Sequence, residues 1–89
     1  MTNEMLYLRV LRKLGVTERE LLGRCRRQGL VDARCLMAAA LMGQPLMNQK
    51  GVARILGVSQ AAVSHLLKRH EALMETDAEY KNKWNNINN

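Results

Sequence analysis

Between Asn48 and Arg69 the chain reads NQKGVARILGVSQAAVSHLLKR, and no other stretch restricts the fold so tightly. Ala53 is followed four positions later by Gly57 and six after that by Val63, with Val52, Leu56, Val58 and Leu66 set between and beyond them. A helix-turn-helix needs this order. A small residue at 53 keeps the first helix thin where the second crosses it. Gly57 takes a positive φ that a Cβ resists, and the apolar set buries the crossing. Asn48 is placed to cap a helix from Gln49 to Leu56, and Ser59 to cap a second from Gln60 to about His70. The spacing therefore predicts a helix-turn-helix over 48–70, with an ordinary αα-hairpin in a small bundle as the alternative.

Helix punctuation continues outside that stretch, and strand signals are missing. Met5, Leu8, Leu11 and Leu14 recur at helical spacing for a first helix, closed by Gly15. Thr17 and Glu20 form a capping box that opens a second helix of about ten residues, burying Leu21, Leu22 and Cys25 before Gly29. Asp32 is positioned to cap a third helix, Ala33 to Met42, whose nearly all-apolar composition marks it as the central element; Gly43 and Pro45 break it. Thr76-Asp77-Ala78-Glu79 reads as another capping box, opening a closing helix over about 77–86 that brings Tyr80, Trp84 and Ile87 to the core, with Asn85 to Asn89 fraying. The expected fold is all-α: one domain over 1–89, a small bundle of about six helices with Leu36, Ala40, Ala53, Val63 and Leu66 inside.

Eighty-nine residues suit one small domain with a modest core. Phe is absent, and Tyr7, Tyr80 and Trp84 are too few for a sheet that stacks bases on aromatic platforms. The net charge is +6, unevenly spread. Residues 1–44 carry eight Lys/Arg against four Asp/Glu, residues 45–70 carry Lys50, Arg54, Lys68 and Arg69 with no acid, and residues 71–89 carry two Lys against four acids. The cations gather on and before the motif, where a polyanion would sit. Cys25 and Cys35, without a secretory signal, read as reduced thiols of a cytoplasmic protein. Cys25, Cys35, His65 and His70 show no close ligand spacing, so no metal and no cofactor is expected. The longest apolar run, Cys35 to Met42, is far too short to cross a bilayer. Neither paired carboxylates nor a nucleophile–base pair points to an enzyme, and no small-molecule substrate is expected.

In the usual docking of such a motif, the N-terminal half of the second helix enters the major groove. Ser59, Gln60, Ala61, Ser64, His65 and Lys68 recur around Val63 and Leu66 and form its outward face. Gln60 is the strongest candidate base reader, since its amide matches adenine N6 and N7 together. Ala61 suits a thymine methyl, and Ser64 and His65 reach bases or phosphates. Gln49, Lys50, Arg54, Lys68 and Arg69 fall nearer phosphates, fixing register without reading sequence. For Gln60 and His65 the plainer alternative is simple helix surface. Arg24, Arg26 and Arg27 join the phosphate set or merely charge a solvated surface.

The order of these features resembles the C-terminal DNA-binding domain of the bacterial replication initiator DnaA, in the Trp-repressor-like helix-turn-helix group, from about Leu6 to Trp84. Val16-Thr17-Glu18-Arg19-Glu20-Leu21-Leu22 followed by Arg24-Cys25-Arg26-Arg27 is similar to that family's first helix and basic loop. Ala33-Arg34 leading into Leu36-Met37-Ala38-Ala39-Ala40-Leu41 resembles its alanine-rich central helix, and Glu71 to Glu79 its closing segment. The resemblance implies an all-α DNA-binding fold, a backbone contact for Arg34, which matches the second Arg of that family's segment while its minor-groove arginine falls near Asp32, and DNA contacts for His65, Lys68 and Arg69. The family's Gly-Gly-Arg-Asp-His-Thr-Thr-Val is replaced by Gly57-Val58-Ser59-Gln60-Ala61-Ala62-Val63, one residue shorter, so Ser59, Gln60 and Ala61 stand where Asp, His and the first Thr would. The initiator's own box sequence is thus not the expected target, and no Gly-rich phosphate loop is present for nucleotide binding.

The expected function is sequence-specific binding of double-stranded DNA by a monomer or weak homodimer, as a transcriptional regulator or a replication or mobile-element accessory factor. The alternative is a protein–protein interaction module that keeps the fold without DNA contact; Ala61 and Ala62 favour it, and the acid-free motif opposes it.

Overall fold

A computed structural model describes residues 3–23 and 28–88, and within them the chain forms six α-helices and no strand. The first, α1 (Asn3–Leu14), ends at Gly15, whose φ of 68° lets the Val16 N–H reach back to the Leu11 carbonyl at 3.2 Å. Its buried face differs from the expected stripe. Leu6, Tyr7, Val10 and Leu11 are buried, whereas Met5 and Leu8 are 59% and 54% exposed. A series stepping only by three slips about 60° around a helix at each step. Met5 and Leu8 therefore drift off the face that Leu6 and Val10, or Tyr7 and Leu11, share at spacing four.

The Thr17–Glu20 capping box forms in both directions, with each backbone N–H to the other side chain at 3.1 Å. The helix it opens, α2 (Glu18–Leu22), is half the expected length. Leu21 is buried, but Leu22 is 41% exposed. The Arg34 guanidinium donates to the Leu21 carbonyl at 2.7 Å and the Gly23 carbonyl at 2.6 Å, occupying acceptors that a longer helix would use. Cys25, Arg24, Arg26 and Arg27 lie outside the described residues.

The central helix α3 (Gln28–Met42) starts five residues before the expected Ala33. Leu30 is buried, and that burial carries the helix upstream, so Asp32 lies inside it rather than capping it. Cys35, Leu36, Met37, Ala38 and Leu41 are fully buried. The other five helices pack around α3 directly or through a neighbour: α1, α2, α4 and α5 rest on it, and α6 closes the bundle against α1 and α5. The radius of gyration, 11.8 Å, matches the roughly 12 Å expected for a compact chain of this length.

The remaining elements are α4 (Gln49–Leu56), α5 (Gln60–Thr76) and α6 (Ala78–Asn88). The α5 helix runs past the expected stop near His70 because Leu73 and Met74 still pack on the core. Thr76 is therefore the last residue of α5, its hydroxyl donating to the Ala72 carbonyl at 2.8 Å, and Asp77 takes over as cap, accepting from the Tyr80 N–H at 3.2 Å. Instead of fraying from Asn85, α6 continues to Asn88, held by Ile87 at 2% exposure.

Candidate nucleic-acid interface

Two helices and a three-residue turn build the site. Asn48 caps α4, its side chain accepting from the Gly51 N–H at 2.8 Å. Gly57 ends α4 at φ 68°, and the Val58 N–H returns to the Ala53 carbonyl at 3.0 Å, so the chain reverses within one residue. An added Cβ on Gly57 would meet nothing within 4 Å, which leaves backbone conformation as the sole reason for glycine. Ser59 then caps α5, its hydroxyl accepting from the Ala62 N–H at 3.1 Å. Val52, Ala53, Leu56 and Val63 bury the crossing. Val58, expected among them, is 40% exposed in the turn, and Leu66 is only partly buried.

The outward arc of α5 follows from helical geometry. Gln60, Ala61, His65 and Lys68 are exposed and Ser64 is half-buried. At about 100° per residue these five span roughly 140°, opposite Val63, Leu66, His70 and Leu73. On α4, Lys50 and Arg54 are exposed one turn apart, and Gln49 is half-buried beside the cap. These two helices pack on each other.

Arg69 and Arg34 stand apart from this group. Arg69 is exposed, yet its charge opposes the upward push of burial on the Cys35 thiol and the Tyr80 hydroxyl. It therefore lies toward α3 and α6, at the margin of the arc that Lys68 occupies. Arg34 spends its Nε and one terminal nitrogen on the end of α2. The α5 arc runs past the expected stop at His70 and takes in two further side chains. Glu71 and Glu75 are exposed and continue the line of Gln60, Ser64 and Lys68. The stripe thus changes from polar and cationic to acidic partway along the helix.

His70, by contrast, belongs to the interior. Its Nδ1 lies 2.7 Å from the Tyr80 hydroxyl, and its ring meets those of Tyr80 and Trp84 edge-on, with centroids at 5.5 and 4.7 Å. Burial holds it below its ordinary value of 6.5, with Glu71 pulling the other way. Cys35 is fully buried, and burial pushes its thiol up to about 11. Such a thiol is neutral and unreactive at physiological pH. No group of three or more His, Cys, Asp or Glu among the described residues is arranged to hold a metal ion. Likewise, none of their helices is long and apolar enough to cross a membrane.

No protein-family model, curated protein or solved structure matches the chain.

Proposed function

We propose that this chain binds double-stranded DNA through α4, the 57–59 turn and α5, as a small helix-turn-helix domain of the DnaA C-terminal kind. One observation carries the reading: small and polar side chains exposed at the start of α5 belong to a stretch that carries four cations and no acid. Gln60, Ala61, Ser64 and His65 share an arc with Lys68, Lys50 and Arg54 are exposed on α4, which packs on α5, and residues 45–70 contain no Asp or Glu. In this reading the N-terminal turns of α5 enter the major groove, with Gln60 on a base edge and Ser59 and Ala61 short enough for close approach. Lys50, Arg54 and Lys68 neutralise phosphates, with Gln49 beside the capped start of α4. Glu71 and Glu75 keep the far end of α5 off the backbone. A cytoplasmic regulator of transcription, or an accessory to replication or mobile elements, would use such a domain.

Fluorescence anisotropy on random-sequence duplex across a salt series tests this. Affinity is expected to fall with log salt at a slope of roughly 0.9 per neutralised phosphate. A salt-independent complex, or none at low ionic strength, would favour a protein-interaction module instead.

A further inference from the structure

The outer face of α1 carries an ordered pattern of its own. Glu4, Leu8 and Arg12 are exposed and recur at spacing four, which sets them on one ridge of the helix. Leu8 is 54% exposed, and Met5 beside it 59%. Neither Glu4 nor Arg12 has an opposite charge three or four positions away along α1, so the ridge is not a ladder of intrahelical ion pairs. Leu8 lies near the middle of Asn3–Leu14, with Glu4 and Arg12 equally far on either side.

That order is antisymmetric in charge about Leu8. Two α1 helices laid antiparallel, with a two-fold axis at Leu8, bring Glu4 of each copy opposite Arg12 of the other, and leucine meets leucine between them. Parallel helices would instead oppose Glu4 to Glu4 and Arg12 to Arg12. We propose that this face is a self-complementary interface joining two copies of this chain through antiparallel α1 helices. Such a contact is isologous and closes at two copies. Leu8 and Met5 supply the apolar contact, and the charges fix direction and register. At twelve residues α1 is only about 18 Å long, so the contact falls below the roughly 800 Å² per partner of a standard interface and the dimer is weak. Two chains of net charge +6 also repel. Salt at about 0.15 M screens that repulsion beyond about 8 Å while leaving a contact pair largely in force. The inference goes beyond the duplex-DNA reading and does not depend on it.

Translational diffusion measured by NMR tests this without DNA, at about 0.15 M salt and with protein raised to about 1 mM. Wild type is expected to pass reversibly from monomer to dimer. An exposed ion pair contributes up to about fivefold to such an equilibrium. Glu4→Arg or Arg12→Glu alone turns both pairs of the dimer into repulsions and should weaken association about tenfold or more. An equimolar mixture of these two variants restores opposite charges at both contacts and should associate about as well as wild type. Leu8→Ser should weaken association without charge reversal. Circular dichroism checks that each variant is folded, and recovery on mixing cannot come from folding. Wild type that stays monomeric throughout overturns the proposal. A mixture no better than its components also overturns it, and assigns any self-association to another face.

Discussion

Gly57 is where backbone chemistry bears most directly on the site. Its φ of 68° and the open space around its missing Cβ separate two effects that usually come together. Gly57→Ala should cost about 1 kcal/mol from backbone conformation alone, and Gly57→Val more, since β-branching is poorly tolerated at positive φ. Denaturant melts measure this, and an unchanged midpoint would mean that the turn lies elsewhere. Leu46 presents the reverse case. It sits at φ 65° with its whole side chain in solvent, so the position gains nothing from a leucine. Leu46→Asn is expected to stabilise by about 0.5 kcal/mol, because Asn tolerates this conformation; a loss of stability would point to an intramolecular role for the side chain. Lys68 belongs to the binding chemistry. Lys68→Ala should weaken binding to every duplex alike and shallow the salt slope by about one unit, whereas a sequence-dependent loss would make it a base reader.

At the scale of elements, the turn between α4 and α5 was the most legible part of the sequence. Asn48, Gly57 and Ser59 each fix a boundary by local hydrogen bonds or backbone preference, and all three act as their residue types imply. The misread boundaries depended on distant contacts. Arg34, eleven residues beyond Gly23, ends α2; Leu30 extends α3; Leu73, Met74 and Ile87 lengthen α5 and α6. Local caps cannot report such packing. The α5–α6 junction also carries the clearest pH dependence. His70 is held below 6.5 when folded and returns to that value when unfolded, so the unfolded chain binds the proton more readily. Its contribution to stability is therefore complete above pH 6.5 and is lost as pH falls through the lowered folded value. Between pH 6.5 and about 5, above the carboxylate range, wild-type stability should decline, and His70→Gln should flatten that decline. Equal slopes in the two proteins would assign the acid sensitivity to other groups.

For the whole molecule, α3 is the common support, and its apolar composition made that role readable in advance. Leu36 is fully buried and borders a cavity of about 120 Å³ shared with Leu14, Val16 and Ala33. Leu36→Ala should destabilise by about 2–5 kcal/mol, toward the low end where neighbours collapse into the space; a cost under about 1 kcal/mol would contradict the central position of α3. The candidate site was only half legible at this scale. The acid-free stretch and the Gln60 arc follow from local sequence, whereas the margin position of Arg69 and the acidic continuation at Glu71 and Glu75 required the full length of α5 and its neighbours. The outward arc of α5 is polarised, polar and cationic from Gln60 to Lys68 and acidic at Glu71 and Glu75.

Selection of bound sites from a random duplex library, run in parallel on wild type and Gln60→Ala, addresses the proposed function most directly. Wild type is expected to return a defined site containing an adenine whose replacement costs about 1–3 kcal/mol. Gln60→Ala should lose preference at one or two base pairs while keeping its affinity for random duplex and its salt slope. An identical site for both proteins would remove Gln60 from the reading face, and failure of the wild type to enrich any sequence would contradict sequence-specific DNA binding itself.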